Sequence, residues 1–162
     1  MRFLGESRDA RVPAALLVAL RVYLGIVFLV AAWPKLTTPG GFGARLEAFV
    51  ERAALPNAHA FYRPFLESVV LPNAGAFASL VALGELFVGF SLVAGAGARL
   101  GGVGAAFLTL NYLFAKGNWF WTPSSNDAAM FMIALVVTIG GGGRGFGVDY
   151  WLWRRWPRVW LW

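Results

Sequence analysis

Cysteine is absent from this chain, and its absence removes thiol catalysis, disulfides, iron–sulfur clusters and Cys-ligated zinc. Histidine occurs once, at His59. A bis-histidine haem is therefore impossible within one chain, and a lone loop histidine reads as a surface residue, so no metal site is expected. Charge is scarce too: 14% of residues are Asp, Glu, Lys or Arg, against roughly 25% in an ordinary soluble domain. The 14 basic and 8 acidic residues leave a net charge of +6. The basic residues sit at the ends of apolar segments and form no single patch, which points to membrane topology and away from nucleic acid.

What is abundant is apolar: 59% of the residues are hydrophobic. They fall into four runs, about 13–33, 76–94, 100–115 and 126–140, each near the ~20 residues that cross a bilayer as a helix. The expected fold is all-α and integral to the membrane, a single domain over 1–162 built as a four-transmembrane-helix bundle. Pro13 suits a first helical turn, and Trp33-Pro34 ends the first run. Arg21 interrupts its apolar core, so the run reads as a retained helix and not as a signal peptide. Ser125-Asn126-Asp127 offers N-capping chemistry for the fourth run, and the glycines at 140–143 stop it. Ser91 to Gly95 and Gly101 to Ala105 give small-xxx-small spacing, suited to close helix approach.

The long outer loop between the first two runs is expected to hold short amphipathic helices. Leu46, Phe49, Val50 and Ala53 follow i, i+3, i+4, i+7 spacing opposite Arg45, Glu47, Glu51 and Arg52, and Phe61, Phe65 and Val69 repeat at i+4 beside Pro64. Basic residues set the orientation. Arg2, Arg8, Arg11, Arg99, Arg144, Arg154, Arg155 and Arg158 fall on one side, and Lys35, Arg45, Arg52, Arg63 and Lys116 on the other. The first set marks the cytoplasmic side, with both termini inside. The tail at 150–162 interleaves Trp with Arg, the pattern of an interfacial anchor in membrane lipid.

Arg21 and Glu85 are the most informative residues, because each lies near the middle of an apolar run, where an unpaired charge costs roughly 2.5–3.5 kcal/mol. Counted at about 1.5 Å per residue from Pro13 and Gly95, they reach depths of roughly 12 and 15 Å, and Asn111 on the third run roughly 17 Å. The three are expected at one level, with Arg21 and Glu85 as an ion pair. That pair either locks the helices together or lines a polar pocket of the quinone-binding kind. Tyr23, Phe28, Phe87, Tyr112 and Phe114 are candidate walls. Asp127, with Asn126, either caps the fourth helix or stands at the pocket entrance.

The string Leu20-Arg21-Val22-Tyr23-Leu24-Gly25-Ile26-Val27-Phe28, then Trp33-Pro34-Lys35-Leu36, resembles the first span of DoxX/DoxD-type membrane proteins. Leu83-Gly84-Glu85-Leu86-Phe87-Val88-Gly89 with Leu92, Gly95 and Arg99 resembles their second span, and Asn111 matches a polar position of their third. Gly143-Arg144 and Gly147-Val148-Asp149 resemble their ending, with Val148 in place of the usual Leu. The segment from Pro64-Phe65 to Val69-Val70-Leu71-Pro72-Asn73-Ala74 is closer to the DoxD branch, the small subunit of thiosulfate:quinone oxidoreductase. The resemblance implies an accessory or quinone-handling subunit of a respiratory-type oxidoreductase complex in the cytoplasmic membrane of a bacterium or archaeon. No covalent cofactor is expected. Redox work would require a bound quinone or a partner redox subunit. Two rival readings stand beside it: a purely structural subunit of a respiratory or photosynthetic complex, and a small-solute transporter.

Overall fold

A computed structural model describes residues 14–37, 41–140, 146–156 and 158. Pro13, the glycines at 141–143, Arg2, Arg8, Arg11, Arg144 and the tail positions 157 and 159–162 lie outside the described residues. The described residues are helical, with no strand among them. Helix α1 spans Ala14–Thr37. It passes through Trp33-Pro34, where the sequence reading ends the first run, and continues to Thr37. Proline is tolerated there because only the Val30 carbonyl, in the last turn but one, loses its i+4 donor. Thr37 Oγ1 donates to the Trp33 carbonyl at 2.9 Å and helps close the end. The extension matters because it carries Lys35 on the helix.

The connecting loop holds a helical repeat. Helix α2, Gly43–Phe49, runs into a π-helical segment, Val50–Ala54, and then Leu55-Pro56-Asn57-Ala58. A second π segment, Leu66–Val70, leads into Leu71-Pro72-Asn73-Ala74. In both copies the leucine N–H before proline bonds five residues back, to Val50 and Leu66 respectively. The asparagine after proline donates its side-chain N–H to the carbonyl four back, Asn57 to Ala53 at 2.8 Å and Asn73 to Val69 at 2.9 Å. The cause is shared: each proline removes a main-chain donor, and the turn widens around the gap. The two copies pack on each other through Val50, Ala54 and Ala58 against Leu66 and Val70. The buried i+4 series of the second copy is thus Leu66 and Val70, with Tyr62 half-buried before them. Phe61, Phe65 and Val69, one residue over, stay exposed.

From Arg63 the chain runs helically to Ala94, 32 residues, ending as α3 (Ala74–Ala94). Then follow α4 (Ala98–Ala115), α5 (Asn126–Gly140) and α6 (Val148–Arg155). Helices α1 and α3 pack together, as do α3 and α4, α4 and α5, and α5 and α1. Leu24, Phe28, Val88, Leu92, Ala105, Leu108, Ala134 and Val137 fill the centre. The outward faces are equally apolar: Val30, Leu83, Phe90, Phe107, Val136 and Ile139 are all exposed. Helices apolar all round belong in lipid. Two of them, Ala14–Thr37 and Arg63–Ala94, are long and apolar enough to cross a membrane. Helix α4 is diluted by Arg99, three glycines and Asn111, and α5 is 15 residues long.

The α1–α3 contact depends on Gly25 and Gly89. A Cβ at Gly25 would sit 2.9 Å from the Val93 backbone nitrogen and 3.0 Å from the Gly89 carbonyl oxygen. Backbone cannot move aside as a side chain can. Gly25→Ala is therefore expected to part the helices and cost about 1–3 kcal/mol, read as a lower thermal midpoint in detergent. An unchanged midpoint would mean that α1 shifts without penalty.

Candidate functional site

The polar residues expected at one level separate into two groups at opposite ends of the packed helices. Glu85, on α3, is 1% exposed. Its partner is Lys35 of α1, whose ammonium bonds both carboxylate oxygens. Tyr112 of α4 donates its hydroxyl to Glu85 Oε1 at 2.6 Å. The Tyr112 ring lies between two ammonium groups, Lys35 at 5.8 Å and Lys116 at 5.9 Å from its centroid. Such contacts are attractive because the ring face carries negative potential. Lys116 in turn donates to Asp127 Oδ2 at 2.8 Å. One cluster of alternating charge thus ties α1, α3, α4 and α5 together on the side that bears the connecting loop. Asp127 meets Lys116 from the first turn of α5, where a carboxylate also suits the helix dipole. Asn126 is exposed.

Arg21 is elsewhere. Its head lies against Gly95, in the turn between α3 and α4, and its Nη2 donates to the Phe146 carbonyl at 3.0 Å. Gly95 has φ +66°, and a Cβ there would collide with the guanidinium. Ten residues of α3 separate Gly95 from Glu85, about 15 Å along the axis. The expected Arg21–Glu85 pair is therefore not formed. The depth count fails because α1 at Arg21 is level with the end of α3, whereas Glu85 lies ten residues before that end. Beside Arg21, fully buried Asp149 of α6 accepts from Gly97 N at 2.6 Å and Ala98 N at 2.8 Å, while its own N–H donates to the Gly95 carbonyl. The carboxylate occupies the N-terminus of α4, where free N–H groups attract an anion.

Next to the charged cluster lies a cavity of about 450 Å³. The connecting loop walls one side with Leu46, Val50, Leu66 and Val70, and α3 and α4 wall the other with Val81, Gly84, Val88, Gly104 and Leu108. Leu80, Phe87 and Phe107 line it as well and are exposed on the apolar outer face, so the cavity opens there. Three lining side chains carry polar groups: Tyr62, Asn111 and Tyr112. Tyr62 donates its hydroxyl to Asn111 Oδ1 at 2.5 Å, and Asn111 Nδ2 donates to the Phe107 carbonyl at 2.7 Å. Burial pushes the Tyr62 phenol up to about 12, so it keeps its proton throughout the neutral range. Of the five candidate walls, Phe87 and Tyr112 line the cavity. Phe28 fills the core, Tyr23 faces outward, and Phe114 packs on His59, Phe61 and Tyr62. His59 is part of this aromatic group, its Nε2 donating to the Asn118 carbonyl at 2.9 Å.

Glu85, Asn111 and Asp127 stand out in the sequence, but the groups that hold them do not. Lys35 was hidden by the proline before it. Tyr62 sits in the loop, in register with the buried face and one residue off the exposed aromatic series. Lys116 reads in the sequence only as a basic residue that sets topology.

Apolar helices with outward hydrophobic faces, a buried charge cluster and a lipid-facing cavity define an integral membrane protein. The chain matches the family model described as "TQO small subunit DoxD" over residues 16–161 and belongs to the DoxD family. It is thus a membrane subunit related to thiosulfate:quinone oxidoreductase. No curated protein and no solved structure matches it.

Proposed function

We propose that α1, α3, α4 and α5 all cross the membrane, with both termini on the cytoplasmic side of a bacterial or archaeal cell, and that the chain is the quinone-holding subunit of an oxidoreductase complex. The observation that carries this reading is the cavity. Its volume of about 450 Å³ falls inside the roughly 300–1,000 Å³ range of small-molecule sites, which are mostly apolar with a few convergent polar groups. A membrane quinone has that division: a ring with two polar oxygens and an apolar tail. The second N–H of the Asn111 amide suits a ring oxygen, the Tyr62 and Tyr112 hydroxyl oxygens suit the O–H groups of the reduced ring, and Leu80, Phe87 and Phe107 suit a tail leaving towards lipid. Arg21 belongs to the other end and is not part of this site, whereas Glu85 stands behind Tyr112. A bound quinone supplies two-electron chemistry that this chain's own side chains lack.

The protein purified in mild detergent from native membrane should retain quinone, detected in an organic extract. The double variant Tyr62→Phe, Asn111→Leu removes two hydrogen-bonding groups worth about 1 kcal/mol each, so retention should fall about 30-fold. No quinone in the wild-type extract, or equal retention by the variant, would overturn the reading. A scaffold role has one observation in its favour: the Lys35–Glu85 and Lys116–Asp127 pairs tie four helices together without any ligand. Its outcome is the empty extract.

A further inference from the structure

We infer that Tyr112, Glu85 and Lys35 form the proton path of the cavity, connecting a bound quinol hydroxyl to water on the loop side. The inference rests on the quinone reading above. Three side chains from three helices are joined in line: Tyr112 lines the cavity, its hydroxyl donates to Glu85, and Glu85 is held by Lys35. Half-buried Tyr112 and Lys35, the latter with its side chain 20% exposed, flank Glu85 at 1%. The two ends of the line are its openings: Tyr112 lines the cavity, and the Lys35 side chain is part-exposed on the loop side. A salt bridge kept only for packing has no need of a tyrosine that faces both a carboxylate and a cavity.

The hydrogen-bond direction sets the sense of transfer. Tyr112 points its proton at Glu85, which leaves its oxygen lone pairs as acceptors on the cavity side. In quinol oxidation, Tyr112 Oη takes the proton of the hydroxyl that faces it as its own proton passes to Glu85 Oε1. The substrate O–H bond breaks, Tyr112 again holds one O–H, and Glu85 gains one. Lys35 then gives a proton to water and is refilled from Glu85, which restores the starting pair. The second quinol proton is taken by solvent, and the two electrons go to a one-electron acceptor in two steps, the redox partner subunit in the cell. Quinone reduction runs the same path backwards. The other groups around it are Lys116, just past the end of α4 and beside the Tyr112 ring, and Asp127 of α5, which Lys116 holds. Tyr62 on the loop faces Asn111.

The test uses the full chain in detergent, loaded with one equivalent of a short-tailed quinol and mixed with ferricyanide, two equivalents per quinol. Binding is measured separately by quenching of tryptophan fluorescence. Loss of a positioned proton acceptor should slow oxidation at least about 100-fold in Glu85→Gln, with quinol affinity within about threefold of wild type. Tyr112→Phe keeps the ring between the two ammonium groups and should show the same loss, so it decides the matter if Glu85→Gln does not fold. A solvent deuterium isotope effect on the wild-type rate should vanish in Tyr112→Phe. Quinol that binds and is oxidised at the wild-type rate in both variants overturns the proton path alone. Failure of wild type to bind quinol at all overturns the cavity reading, and the path with it.

Discussion

Lys35→Met is expected to destabilise the protein by about 3–5 kcal/mol, the cost of leaving a buried charge without its partner. Glu85 is 1% exposed in the folded protein, so its carboxylate has little access to water to offset the lost ammonium. The Tyr112 hydroxyl supplies one hydrogen bond, but no charge. The double variant Lys35→Met, Glu85→Gln removes both charges and should recover most of the loss. Denaturation by a graded SDS titration in mixed micelles measures all three proteins. A loss under about 1 kcal/mol for Lys35→Met would place the pair among exposed, screened salt bridges, and the cluster would not be what holds α1 to α3.

Gly84→Leu should abolish ligand binding, with an affinity loss of about 100-fold or more, and leave the fold intact. Gly84 lines the cavity, and the nearest side-chain atom to a Cβ there is Leu108 Cδ1 at 3.8 Å. The added isobutyl group meets open space next to its own attachment point and fills the volume a ring would occupy. Within a helix the exchange is also favourable locally, since glycine costs about 0.8–1.0 kcal/mol against the best helix formers. The variant therefore separates binding from stability, as Lys35→Met cannot. Quinone titration followed by tryptophan fluorescence reads the first, and the thermal midpoint the second. Wild-type affinity in Gly84→Leu would place the ligand somewhere other than this cavity.

Helical character and family membership were legible in the sequence, because long apolar runs and short ordered motifs are local signals. The site was legible only in part, for reasons that can be assigned to particular residues. Glu85 announced itself as a charge in an apolar run, but its partner depended on where α1 ends. A proline in the last turn costs little, so Pro34 is not a stop, and Lys35 stays on the helix. Arg21 was placed correctly on α1 and wrongly in depth, because helices of unequal length need not share a starting plane. In the loop, Phe61, Phe65 and Val69 form one apolar i+4 series and Tyr62, Leu66 and Val70 another. Periodicity alone does not choose between adjacent apolar faces; packing against Val50 and Ala54 does. The Leu-Pro-Asn-Ala repeat at 55–58 and 71–74 was visible as letters. Its meaning, two widened turns that lay one helical segment against another to wall a cavity, appears only when the main-chain donors are counted.

The carboxylate of Asp149 has a consequence for the order in which the protein is made. Helix α4 depends for its first N–H groups on a residue synthesised 51 positions after Ala98. During translation α4 therefore leaves the ribosome uncapped, and the α3–α4 hairpin is complete only after α5 has been made and α6 has folded back beneath it. Assembly closes from the last element, so a chain that terminates before Asp149 has all four long helices and still lacks the contact that fastens the turn between the middle two.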